Sequence, residues 1–142
     1  MIKVVFLVLM YLSSLFGANL DWNNDYNKAL QEAKAQKKDI YMFITSADCR
    51  WCRKFEATTL QDEAILQKLK TQYVFLHIDR DKDYMPEHFK KKRVPRHYFL
   101  REDGTIIYSF LGYWASEDFV SFLQDVDKRR KEQDKNKNKK EK

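Results

Sequence analysis

The chain has 142 residues, room for one domain, and with 44% hydrophobic and 15% aromatic residues it can bury a real core, which excludes a disordered chain. Its formal charge of +6 sets 27 Lys and Arg against 21 Asp and Glu, a balance that could suggest nucleic acid. Residues 128–142 alone hold nine basic and three acidic side chains, however, leaving a body balanced at 18 against 18 with no nucleic-acid recognition motif.

Residues 1–18 read as a signal peptide. Lys3 supplies the positive start, Val4 to Phe16 is apolar apart from Tyr11, Ser13 and Ser14, and polarity arrives at Asn19 and Asp21. The run suits a signal h-region and is short of the roughly 20 residues that span a membrane. Ala18 suits a cleavage site and bulky Phe16 does not, so an uncleaved N-terminal anchor is the alternative. Either form places the body in the periplasm or another extracytoplasmic compartment. A folded domain is expected over 19–127, and 128–142 reads as a basic low-complexity tail, disordered or a frayed helix.

Within the domain, Asn24 or Asp25 can cap a helix reaching about Lys37, with Leu30 and Ala33 inward. Ile40 to Thr45 is a short apolar run rich in β-formers and predicts a buried strand. A helical pattern runs on from Cys52 through Phe55, and a second spans Asp62 to about Lys70 with Ile65, Leu66 and Leu69 at helical spacing. Tyr73 to Ile78 predicts the next core strand. A charged loop with a helical turn covers Asp79 to Arg93, and Pro95 introduces a strand from Arg96 to Leu100. Asp103-Gly104 is a hairpin turn, and Thr105 to Phe110 returns antiparallel. Gly112 breaks that strand. Ser116 then caps a last helix with Phe119, Val120, Leu123 and Val126 inward. Strands separated by helices form a parallel core and the hairpin adds an antiparallel pair, which makes an α/β sandwich with a mixed sheet.

The two cysteines, Cys49 and Cys52, are spaced C-x-x-C after a core strand and at a helix start, the context that gives the motif redox meaning. Helix-terminal N–H groups and the helix dipole stabilise a thiolate on an exposed Cys49, with Arg50, Arg53 and Lys54 adding positive charge and Asp48 opposing it. Cys52 lies one turn in and would attack a mixed disulfide formed at Cys49. A structural staple across two residues removes little chain entropy. A closed zinc site needs four ligands, and His77, His88 and His97 are scattered singly, so no metal site is expected.

From Ile40 to Val126 the chain resembles thioredoxin, and more closely the C-terminal periplasmic domain of DsbD-type thiol:disulfide interchange proteins. The residues that carry the likeness are Cys49-Arg-Trp-Cys52 with the following Arg-Lys-Phe-Glu, Thr58-Thr59-Leu60, Asp62-Glu63, His77-Ile-Asp79, Val94-Pro95, Asp103-Gly104 and Gly112. The resemblance implies a thioredoxin-like fold, a mixed sheet flanked by helices. It also implies that Pro95 is cis and lies opposite the reactive sulfur, where Val94, Pro95 and Arg96 can meet a substrate strand. Such proteins carry a buried Asp six residues before the first Cys and often a Trp just before it; here those positions are Phe43 and Asp48. The acidic residue four after the second Cys is kept as Glu56, which at one helical turn from Cys52 becomes the candidate acceptor of its proton.

Trp51 is expected exposed beside the sulfur as an apolar substrate contact. Lys90 to Arg93 and Arg96 would rim the redox groove, favouring acidic partners and a thiolate. His97 reads as an ordinary strand residue. These residues lead to a protein-disulfide oxidoreductase that needs no cofactor beyond a redox-active Cys49–Cys52 disulfide. The expected partners are disulfide-containing exported proteins and, following the resemblance, a membrane electron transporter; no nucleic-acid partner is expected, and the protein is expected to be a monomer. The alternatives are a disulfide-forming oxidase or isomerase of the same fold, and a module binding a soft ion such as Cu(I) through the two thiolates.

Overall fold

A computed structural model describes residues 20–141; the expected signal segment, residues 1–18, lies outside them. Helix α1, Tyr26–Gln36, starts where Asp25 Oδ1 accepts a hydrogen bond from Lys28 N at 3.0 Å. It ends at Lys37, a left-handed residue at φ 54° whose N–H reaches the Ala33 and Lys34 carbonyls. Tyr26, Ala29 and Ala33 form its buried face, while Leu30 packs only at the rim.

Five strands form one sheet in the order β1-β3-β2-β4-β5: β1 is Trp22–Asn23, β2 Asp39–Thr45, β3 Tyr73–Asp79, β4 Arg96–Leu100 and β5 Ile106–Leu111. β2 pairs parallel with β3 and antiparallel with β4, and β4 with β5 is the predicted hairpin. Strand β1 was not expected, because two residues parallel to β3 are too few to show a period of two. All seven residues of β2 are buried, as an unbroken apolar run at the centre of a covered sheet requires. Successive side chains point to opposite faces. Ile40, Met42 and Ile44 pack with α1, Met85 and Phe89, whereas Tyr41 and Phe43 join Phe55, Phe99 and Phe119 on the other face. Each fully buried ring contributes roughly 1.5–3 kcal/mol over an exposed one, so this aromatic layer dominates cohesion. At the hairpin Gly104 has φ 86°, and a Cβ there would come within 2.6 Å of Tyr26 Oη.

Helices α2, Arg50–Ala57, and α3, Glu63–Gln72, connect β2 to β3 with a 3₁₀ turn, Thr59–Gln61, between them; a second 3₁₀ turn is Glu87–Phe89. The last helix, α4, runs Ser116–Lys140. Its N-cap is Ala115 rather than Ser116, and Val120, expected inward, is exposed, while Phe119, Leu123 and Val126 are buried. The expected disordered or frayed tail is corrected as well, since the helix continues unbroken from Val126 to Lys140. The segment lacks Gly and Pro and is rich in helix-forming Lys and Arg. It is also strapped to the domain: Arg130 Nε lies 2.6 Å from Asp39 Oδ2, Arg101 pairs with Asp134, and Gln133 Nε2 donates to the Ile106 carbonyl at 3.1 Å. Apolar periodicity ends at Val126, so the polar contacts that hold the extension were invisible to it.

Candidate active site

The carboxyl end of β2 delivers the chain through Ser46–Asp48 to the start of α2. Cys49 is the N-cap of that helix: its Sγ accepts a hydrogen bond from Cys52 N at 3.1 Å, and its own N–H donates to the Ser46 carbonyl at 3.3 Å. Cys49 and Cys52 are joined in a disulfide. Both lie deeper than a free surface thiol; Cys49 keeps 8% of its surface accessible against 0% for Cys52. The difference still makes Cys49 the sulfur an incoming partner can reach. The helix start supplies amide N–H groups and a positive dipole end, which favour a thiolate at this position.

Cys49 opens into a cleft of about 710 Å³, whose walls include Arg50, Trp51, Arg80, Arg93, Val94 and Pro95. The Val94–Pro95 peptide is cis, as the resemblance implied. Val94 lines the cleft and makes no backbone hydrogen bond to another described residue, so its N–H and carbonyl are without backbone partners there. Trp51 is 45% exposed, and its ring sits 5.7 Å from that of Tyr113. Two cations cover these aromatic faces: Arg50 stands 5.1 Å over Trp51, and Lys54 Nζ stands 4.7 Å over Tyr113. Of the predicted substrate contacts, Trp51, Val94 and Pro95 line the cleft. Arg96 does not; it turns back to donate to the Arg93 carbonyl at 3.5 Å. Arg80, Gly112 and Tyr113 line the cleft without having been expected, because only chain folding brings them beside the cysteines.

Behind the cleft lies a buried polar chain in the aromatic layer. His97, fully buried, is bonded through Nε2 to the Gly112 carbonyl at 3.0 Å and through Nδ1 to Tyr41 Oη at 2.8 Å. A carbonyl can only accept, so Nε2 carries the proton and Nδ1 accepts from the tyrosine. Burial pushes the imidazole pKa down to about 3, with the Gly112 bond opposing, and burial raises that of Tyr41 well above its ordinary value. Gly112 in turn donates its N–H to the Pro95 carbonyl at 2.8 Å, and at φ 101° it suits glycine alone. His97 is therefore more than an ordinary strand residue: it braces the turn that holds Pro95 in place. Its polarity next to the buried run Tyr98–Leu100 was the available signal.

Glu56 does not line the cysteine cleft. It faces a second one of about 430 Å³ on the far side of α2, with Trp22, Phe43, Arg53 and His77. There it pairs with Arg53 at 3.3 Å and lies 3.9 Å from His77 Nε2, which also meets Thr45 Oγ1 at 2.9 Å. Burial lowers the His77 pKa, partly offset by the Glu56 carboxylate. In the sequence His77 stood only among scattered histidines and in the segment that carries the family likeness; its place opposite Phe43 and beside Glu56 comes from the parallel register of β2 and β3. Arg53 also donates to the Ser46 carbonyl at 2.9 Å, tying the carboxylate to the loop that leads into Cys49.

Residues 21–102 match a protein family described as thioredoxin-like. Among curated proteins, spermatogenesis-associated protein 20 of Rattus norvegicus is 29% identical over 62 residues, 44% of this chain and 8% of that protein. The chain therefore spans less than a tenth of the length of such relatives. Among solved structures, a DsbH oxidoreductase superposes with a TM-score of 0.60 at 23% identity, covering 76% of this chain and 84% of the other. The oxidised C-terminal domain of Neisseria meningitidis DsbD gives 0.57 at 19% identity, covering 70% and 90%. At these identities the likeness speaks for the fold, a thioredoxin-like mixed sheet between helices, here bearing a Cys49–Cys52 pair. With the family match spanning more than half of its sequence, this chain belongs to the thioredoxin-like family.

Proposed function

We propose that the protein is an exported thiol–disulfide oxidoreductase that reduces disulfides in extracytoplasmic proteins and is recharged by a membrane electron transporter. The observation that carries the reading is Cys49 at the N-cap of α2, the more accessible sulfur of the pair, opening into a cleft walled by Val94 and Pro95. The Cys49 thiolate attacks one sulfur of a partner disulfide, forming a mixed disulfide and releasing the other partner sulfur as a thiolate. Cys52 gives up its proton, with Glu56 as acceptor, and attacks Cys49 Sγ. The second partner sulfur leaves, and the protein ends as the Cys49–Cys52 disulfide. No further cofactor enters. The resemblance to DsbD-type domains supports the reductive direction and the membrane donor, and the apolar segment after Lys3 supports export.

Equilibration of the Cys49–Cys52 pair with glutathione tests the direction: a potential near about −270 mV supports a reductant, and one near about −120 mV makes the protein an oxidase instead. The cations around Cys49 favour that second outcome, because they stabilise the thiolate of the reduced form. Fractionation of cells expressing the full chain tests export, and retention in the cytoplasm would overturn it.

A further inference from the structure

The cations of this molecule are not evenly matched. On the α4 side three pairs tie the helix to the domain, Lys68 with Asp127, Arg101 with Asp134 and Arg130 with Asp39, and the remaining cations of the helix stand on its exposed face. Around the cysteine cleft the unmatched cations line or flank a cavity instead. Among the described residues Arg50, Lys54, Lys91, Lys92, Arg93 and Arg96 form no ion pair with a carboxylate. The cleft wall itself carries Arg50, Arg80, Lys92 and Arg93 against one carboxylate, Asp48. Arg80 is paired with Asp81 and also holds the Lys92 carbonyl, so it stiffens the basic loop as well as charging it. Lys90–Lys92 and Arg80 continue the positive rim into a neighbouring depression beside Met85. Between these charges lie an exposed Trp51 and the unpaired backbone of Val94.

We propose that the cleft recognises an extended polypeptide segment in which the disulfide-bonded cysteine is flanked by carboxylate side chains and an apolar residue. The inference rests on the oxidoreductase reading and names its substrate class. The segment lies along Val94 as an added strand, its apolar side chain meets Trp51 and Tyr113, and its carboxylates meet Arg50, Lys92 and Arg93. Such charges act chiefly on encounter, raising association rates by about 10-fold or more at low salt and losing the advantage as salt screens them. Acidic segments are drawn in and basic ones are turned away by the same field.

The test uses three cystine-linked peptides of identical length, each with one Leu beside the cysteine and with Glu, Gln or Lys at the flanking positions. The kcat/KM for reduction by the dithiol protein is measured at low and at high ionic strength. The expected result is at least a tenfold preference for the Glu over the Lys peptide at low salt, with Gln between, falling to within about threefold at high salt. The double variant Lys92→Glu/Arg93→Glu should abolish or reverse the ratio. Lys137→Glu reverses a charge in the depression that also holds Asp39, whose own position is about 20 Å along β2 from the end of the strand that leads to the cleft, and should leave the ratio intact. Equal turnover of the three peptides, or a ratio untouched by the cleft variant, overturns the proposal and leaves the oxidoreductase reading standing. If none of the peptides is reduced, both fall.

Discussion

Removing the guanidinium of Arg130 should destabilise the fold without touching the chemistry. Asp39 opens β2 with 6% of its surface exposed, and it is held by Arg130 at 2.6 Å and by Arg101 at 3.8 Å. Burial raises its pKa, and the two arginines oppose that rise without cancelling it. Stripping the partner from a buried charge costs about 3–5 kcal/mol, whereas exposed pairs contribute about 0–1 kcal/mol. Arg130 is 46% exposed and Arg101 would remain, so the loss belongs between these limits. Arg130→Ala, which preserves helix propensity, should cost about 1–2 kcal/mol, or about 3–8 °C in Tm for a domain of this size. The sign with pH follows. A carboxyl whose folded pKa is raised above the ordinary 3.8 favours folding most when protonated, and that advantage is lost as pH rises through its folded pKa. The arginine matters only while Asp39 is ionised, so the Arg130→Ala deficit should be full at neutral pH and shrink as acid protonates Asp39. Urea titrations of Arg130→Ala, Asp39→Asn and the double variant form the cycle that isolates the pair. A coupling near zero, or a deficit that persists unchanged in acid, would refute the reasoning. Truncation after Asp127 should show the same instability while leaving disulfide-reductase turnover within about twofold when assayed well below its Tm.

Cys52→Ser should accumulate mixed disulfides with partner proteins on denaturing non-reducing gels and Cys49→Ser should not; equal trapping would undo the assignment drawn from their unequal accessibility. Glu56→Gln should slow resolution of the mixed disulfide about tenfold or more near neutral pH with far less effect on the first attack, and stopped-flow separation of the two steps decides it. His97 is buried neutral, its pKa held at about 3 against the ordinary 6.5, so its contribution to stability is whole above 6.5 and is lost as pH falls through that interval. Wild-type stability should therefore fall more steeply from pH 7 to pH 4 than that of His97→Gln, and parallel profiles would contradict it.

Local and periodic features were legible in the residues themselves. The C-x-x-C after a β-rich run, the Asp25 cap and the Asp103-Gly104 turn depend on neighbours within a few positions, and their chemistry acts at that range. The unbroken apolar runs at Ile40–Thr45 and Tyr73–Ile78 likewise announced central strands, because only a covered sheet buries both faces. Strand order and register are pairings between segments tens of residues apart, so the structure alone could show that His77 stands beside Phe43, and that Arg80 and Tyr113 share a wall with Cys49. The same holds for polar burial. Periodicity follows apolar side chains, and it ended the domain at Val126, although Arg130, Gln133 and Asp134 fasten the next turns to Asp39, Ile106 and Arg101. It equally passed over His97, whose two ring nitrogens find Tyr41 and Gly112 only once three separate segments have met. An ion pair or a buried imidazole is specified by its partner's position in space, and that position is a property of the folded chain.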